Sequence, residues 1–219
     1  MQDLKRQEIF EIEVLEKLKN AKLLEPLVFV GGTMLRLCHE LNRYSIDLDF
    51  WLIKKINVKN YYKDLISALG KLYTITGSQI KFYTILVELK SEKYPKKLKI
   101  EIRKEKKCSY EEKIAFSKFS NIQVILKAAT LDEMMKNKIN AFVDRKEIRD
   151  CFDIEFLLRR GVQLNTSSFN LKKMLEIIEN FNIVDYKVKL GSILEPEMRS
   201  YYIKNKFGYL VGKIRSSLI

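Results

Sequence analysis

Asp47 and Asp49, in Tyr44-Ser45-Ile46-Asp47-Leu48-Asp49-Phe50, are spaced to act together. On a strand, residues two apart leave the same face, so both carboxylates share a side while Leu48 and Phe50 turn toward packing. Two ionised carboxylates this close repel each other in a low-dielectric site. A hard divalent cation such as Mg²⁺ relieves that repulsion and prefers oxygen ligands. Upstream, Val30-Gly31-Gly32-Thr33 offers a glycine bend whose backbone N–H groups can approach phosphate. A metal–nucleotide complex is what such parts would hold. The alternative is an edge strand bearing two solvated acids, because a short acidic motif alone is weakly specific.

A third carboxylate comes from Leu98-Lys99-Ile100-Glu101-Ile102-Arg103, which alternates cleanly as a strand. If that strand neighbours the one with Asp47 and Asp49, Glu101 completes a three-carboxylate cluster able to seat two Mg²⁺ ions. One ion would activate an attacking hydroxyl and the other would neutralise a triphosphate. Otherwise Glu101 is an exposed strand residue paired with Lys99 or Arg103. Lys96, Lys97, Lys99, Arg103, Lys104, Lys106 and Lys107 bracket Glu101, where an acceptor nucleic acid would have to approach.

The elements that must position these residues follow from periodicity. Ile9, Ile12, Leu15 and Leu18 mark a helix over about 4–19. Leu27 to Val30 is a short buried strand, Thr33 to about Leu41 a helix, and Asp47 to Ile53 a strand. Asn57 caps a helix that Gly70 ends. A hairpin is expected around Gly77-Ser78, joining 72–76 to 80–89. A last strand falls at about 121–126. Helices then dominate, at about 131–143, 147–160, 168–180 and 196–216. Thr130 with Glu133 forms a capping box for the first, and Gly161 closes the second. The layout is α+β, with an α/β core over 1–120 and a helical unit over 121–219.

Within the helical part, Asp150 and Asp153 share a helix face. Lys138 lies on the preceding helix, and a helix–turn–helix return would set it opposite Asp153. Lys138 and Arg149 could equally serve as ordinary interhelical ion pairs, with Arg149–Asp153 an i,i+4 pair. Arg145 and Lys146 could be a solvated face. The only histidine, His39, nearly excludes histidine-based chemistry and is expected on the exposed side of its helix. Cys38, Cys108 and Cys151 have no metal or disulfide spacing, so no disulfide partner is expected. Tyr201 and Tyr202 could stack on RNA, but packing is the preferred reading. The formal net charge of +13 favours a polyanionic partner, although a lysine-rich composition alone would also produce it. The apolar runs are too short for a membrane span and no apolar signal core opens the chain, so a soluble, cytoplasmic protein without membrane contact is expected.

Gly31-Gly32-Thr33-x-Leu35-Arg36, then Arg43-x-Ser45-x-Asp47-Leu48-Asp49-Phe50, resembles the AbiEii/AbiGii nucleotidyltransferase toxins, which include the MenT toxins. They belong to the DNA polymerase β-like nucleotidyltransferase superfamily. Leu131-Asp132-Glu133 through Lys138 to Ala141, then Arg145 and Arg149-Asp150-x-x-Asp153-Ile154, is similar to that family's second block. The resemblance implies a polymerase β-like mixed sheet flanked by helices, followed by a C-terminal helical bundle. It implies that Gly31, Gly32 and Thr33 hold a triphosphate and that Asp47 and Asp49 bind catalytic Mg²⁺. Lys138 would reach the phosphates of the incoming NTP, with Asp153 nearby, and Arg43 and Ser45 would buttress the site or contact phosphate. It further implies a type IV toxin–antitoxin (abortive infection) role. NMP would pass to RNA, with the 3′ end of tRNA expected, and a winged-helix antitoxin would be a partner. Glu101 departs from the aspartate that many relatives use. Other readings are an antibiotic-type small-molecule nucleotidyltransferase and a nucleotide-binding partner protein without turnover.

Overall fold

The computed structural model describes residues 1–104 and 107–218; Lys106 of the basic run lies outside the described residues. The chain divides into two compact units, residues 1–40 with 44–129, and residues 41–43 with 130–219.

The first unit opens with α1 (Gln2–Asn20), β1 (Leu27–Val30), α2 (Gly31–His39) and β2 (Asp47–Leu52). It continues through α3 (Val58–Gly70), β3 (Thr74–Ile80), β4 (Thr84–Lys90), β5 (Leu98–Arg103), β6 (Tyr110–Phe116) and β7 (Gln123–Ala129). The strands form one sheet in the order β3-β4-β5-β2-β1-β7-β6. The β2–β5 and β1–β7 pairs are parallel, and the remaining neighbours run antiparallel. The fold is α+β with a mixed sheet. Alternation decides its faces: Leu48, Phe50, Leu98, Ile100, Ile102, Ile85, Val87 and Leu89 are all buried. Asp47, Asp49, Lys99 and Glu101 leave the opposite face and are only half-buried. Asn57 caps α3 by accepting from the Asn60 N–H.

This unit differs from expectation in several places. The hairpin turn is at Lys81–Tyr83, closed by the Lys81 N–H donating to the Thr84 carbonyl at 2.7 Å. Gly77 instead lies inside β3, opposite Glu88, next to a register shift after Ile75. A bulge of that kind is a second use for strand glycine, which the turn signal does not distinguish. Strand β6 had no expected counterpart, because its residues are mostly exposed and lack a buried alternation. Strand β7 runs to Ala129, beyond the expected end near 126, and pairs with β1 within the first unit. His39 is buried, not exposed.

The second unit contains α4 (Leu131–Arg145), α5 (Ile148–Arg159), α6 (Ser168–Glu179), α7 (Pro196–Asn205) and α8 (Gly208–Ser216). A π-helical segment, Asp185–Leu190, and a 3-10 turn, Gly191–Ile193, precede α7. The Thr130 hydroxyl accepts from the Glu133 N–H and begins α4. The expected helix over 196–216 is broken. Lys206 has φ of 51°, and fully buried Phe207 packs against the rings of Tyr186 and Tyr202. Burying that ring outweighs helix continuation. Glu155 ties the pieces together: its carboxylate accepts from the Tyr202 hydroxyl at 2.9 Å and from the Leu210 N–H at 3.1 Å. Tyr202 is therefore a packing residue. Among the described residues no helix is long and apolar enough to cross a membrane.

Candidate active site

In the first unit the carboxylates sit where β2 and β5 run side by side. Asp47 is registered with Lys99, and Asp49 with Glu101. The sequence condition for Glu101 is thereby met, since its strand adjoins that of Asp47 and Asp49. Lys99 stands among them, with its Nζ 3.2 Å from Glu101 Oε2 and 3.9 Å from Asp47 Oδ2. Partial burial alone would lower the Lys99 pKa, but the charges of Asp47, Glu101 and Asp49 outweigh it and raise the pKa above the ordinary lysine value. Among the described residues no three His, Cys, Asp or Glu side chains are grouped so as to hold a metal ion as they stand. The donor chemistry nevertheless suits a hard cation: carboxylates on adjacent strands share one face, and a lysine ammonium supplies positive charge between two of them.

Gly31 explains the bend. It follows β1 with φ of +83°, in the left-handed region that side chains rarely adopt. A Cβ added there would overlap the Asp49 carboxylate. Glycine is thus required twice, for the backbone turn and for the close approach of Asp49. The α2 helix begins at this residue, so its first N–H groups lie beside the carboxylate strand. Gly32 and Thr33 are buried in the first turn. The Thr33 hydroxyl donates to the Asp47 carbonyl at 2.6 Å and so fastens α2 to the start of β2. In this structure Thr33 orients Asp47. Ser45 is half-buried just ahead of β2.

A buried polar group underlies this region. Arg36 donates through Nε to Glu8, and its guanidinium stacks over the Tyr44 ring, 3.9 Å from its centroid. The other Glu8 oxygen accepts from the Ser117 hydroxyl at 2.7 Å. Glu11 is fully buried. Desolvation, reinforced by Glu8 and Asp47 and only partly opposed by Arg36, raises its pKa well above the ordinary carboxylate value. Sequence periodicity missed Glu8 and Glu11, because polar residues on an amphipathic helix are assigned to solvent by default.

The second unit holds an ion cluster of its own residues. Arg43 grips Asp153 with two hydrogen bonds, Nε to Oδ1 at 2.6 Å and Nη2 to Oδ2 at 2.7 Å. Lys138 lies 2.6 Å from Asp153 Oδ2 and 3.2 Å from Asp150 Oδ1. Arg145 reaches Asp150 Oδ2 at 2.8 Å. Burial alone would raise the Asp153 pKa, but Arg43 and Lys138 outweigh it and hold the carboxyl below its ordinary value. The expected Lys138–Asp153 approach and shared face of Asp150 and Asp153 are present. Asp153 takes Arg43 as its bidentate partner where the sequence offered Arg149. No spacing rule could pair residues 43 and 153. The only signal available was Arg43's place in the first motif.

Residues 13–198 match the family described as the nucleotidyl transferase AbiEii toxin of type IV toxin–antitoxin systems. The chain belongs to the AbiEii family. Among solved structures it is similar to JHP933 from Helicobacter pylori, with 22% identity, a TM-score of 0.57, and coverage of 95% of this chain and 93% of that one. A second H. pylori structure, provisionally assigned as a nucleotidyltransferase, is 23% identical with a TM-score of 0.58, covering 95% of this chain and 96% of that one. At these identities the two structures support the fold. No curated protein matches the sequence.

Proposed function

We propose that the protein is a Mg²⁺-dependent nucleotidyltransferase that moves NMP from an NTP to RNA, acting as the toxin of a type IV toxin–antitoxin pair. The observation that carries this reading is the packing of Gly31 against Asp49, with Asp47 and Glu101 on the same sheet face. Asp47, Asp49 and Glu101 would hold the divalent ions. When bound, the ions would neutralise phosphate charge and acidify the acceptor hydroxyl. The chain's own groups supply the rest. Gly31 and the first turn of α2 leave backbone N–H groups for phosphate oxygens, and Thr33 fixes the backbone that carries Asp47. Lys138 and Asp153 are assigned as further catalytic residues on the family resemblance, with Lys138 serving the phosphates. Arg43 and Ser45 are assigned to support the site.

In the reaction, the acceptor hydroxyl oxygen forms a bond to the α-phosphorus while the α–β phosphoanhydride bond breaks. Pyrophosphate leaves, and the hydroxyl proton passes to solvent. Family membership and the formal charge of +13 support an RNA acceptor, the 3′ end of tRNA foremost, and a winged-helix antitoxin as partner. The test is incubation of total tRNA with each labelled NTP, with and without Mg²⁺. Wild type should label tRNA only with Mg²⁺, and Asp47→Ala and Asp49→Ala should not label it at all. Equal labelling by Asp47→Ala and wild type would overturn the assignment. NTP binding without transfer to any RNA would favour a binding protein without turnover.

A further inference from the structure

We infer that the β3–β4 hairpin tip is a stacking platform for a single-stranded segment of the RNA acceptor. This deepens, and rests on, the RNA-transfer reading above. Hairpin tips are ordinarily polar. Here Phe82 is 83% exposed and Tyr83 is 69% exposed, and Phe82 is the most exposed large apolar side chain among the described residues. The rings meet edge to face with centroids 4.5 Å apart. They bury little, so folding gives no reason for them.

The tip is pre-formed. Besides the turn bond from Lys81 to Thr84, the Lys104 N–H donates to the Tyr83 carbonyl at 2.9 Å. The Lys104 ammonium donates to the Phe82 carbonyl at 3.2 Å and also to the Lys81 carbonyl. One lysine thus binds three successive carbonyls and fixes the backbone that presents both rings. A fixed platform loses less entropy on binding than a mobile one.

Charge and position indicate the occupant. Lys81 precedes the two rings in the turn, and Lys104 is bonded to the turn's carbonyls. Arg103 is registered with Thr84, the residue after Tyr83, and Glu101 lies two residues back along β5. At about 3.3 Å per residue, the platform begins on the order of 10 Å from Glu101, along the same two strands. Aromatic faces flanked by cations bind unpaired bases without regard to sequence. An acceptor end reaching the carboxylates along β4 and β5 would pass over this tip.

The test is fluorescence anisotropy with a 5′-labelled single-stranded RNA oligonucleotide, using wild type, Phe82→Ala/Tyr83→Ala and Phe82→Trp/Tyr83→Trp. The double alanine variant should lose roughly tenfold or more in RNA affinity. Its melting temperature and its NTP–Mg²⁺ affinity should stay at wild-type values. The double tryptophan variant should retain binding. Lys81→Ala should lower the slope of log affinity against log salt by about 0.7. If wild type and the double alanine variant bind RNA equally, the platform is refuted while the transfer reading stands. If wild type binds no RNA, the transfer reading itself fails and the platform falls with it. Loss of affinity for anionic vesicles, with RNA binding unchanged, would make the tip a membrane contact and overturn the inference.

Discussion

Replacing Asp153 with asparagine removes one of two carboxylates from a cluster that contains Arg43, Lys138 and Arg145. Arg43 would lose its two charged hydrogen bonds to Asp153, and Lys138 would keep only Asp150 as a carboxylate partner in the cluster. The Arg43 side chain is 4% exposed, that of Lys138 10% and that of Asp153 0%. Surface pairs are worth about 0–1 kcal/mol, whereas removing one partner of a buried pair costs about 3–5 kcal/mol. Burial places this cluster in the second class. The asparagine amide also offers an N–H₂ where Arg43 or Lys138 needs an acceptor, so the shape is kept while the hydrogen bonding is not. Asp153→Asn should therefore lose about 3–5 kcal/mol in urea unfolding followed by circular dichroism at pH 7.

The acid limb supplies a second reading of the same variant. Asp153 has its folded pKa below the unfolded one, so its stabilisation is complete above the unfolded carboxylate range, near pH 4. It is lost as pH falls through the lower folded value. The gap between wild type and Asp153→Asn should be constant from pH 8 to 5 and narrow below about pH 4. A loss under about 1 kcal/mol at pH 7, or a gap that does not narrow in acid, would refute the claim that the cluster is a buried, charge-dependent anchor.

Gly31→Ala should cost about 1–3 kcal/mol in thermal or urea melts, because alanine must adopt φ of +83° and displace the Asp49 carboxylate. The same variant should weaken Mn²⁺ binding measured by electron paramagnetic resonance; unchanged affinity would separate Gly31 from the carboxylate site. Lys99→Met should raise Mn²⁺ affinity by no more than about fivefold, since half-exposed pairs are worth at most about 1 kcal/mol. A fall in affinity would show Lys99 to be a helper rather than a competitor. Glu11→Gln should stabilise the protein progressively as pH rises from about 4.5, and not below it. The unfolded chain releases this proton there while the folded chain retains it, so wild-type stability declines through that window. A flat difference between pH 4 and 8 in urea titrations would show that Glu11 ionises normally in the fold.

What could be read from the sequence divides by the range of the interaction that fixes it. Strands β1, β2 and β5 were legible because each alternates or is continuously apolar over its own length, and the face shared by Asp47 and Asp49 follows from i,i+2 geometry alone. The caps of α3 and α4 were legible because Asn57 and Thr130 act on N–H groups three residues away. Strand β6 was not, since an edge strand with mostly exposed residues carries no burial signal. Neither was the break at Phe207, whose cause is a set of rings from three other segments. The same division runs through the site. The sequence marks Gly31 as a phosphate-binding bend, while its contact with Asp49 depends on β1 lying beside β2, which sets Val30 against Asp49. The sequence offers Lys99 as a local partner of Glu101 and as one of the basic residues that bracket it. The parallel β2–β5 register brings Lys99 to Asp47 as well, which makes it a charge shared by two proposed metal ligands. A motif thus names the groups that can do chemistry. The sheet order decides which charge stands between them before any ligand binds, and on that charge the Lys99→Met experiment turns.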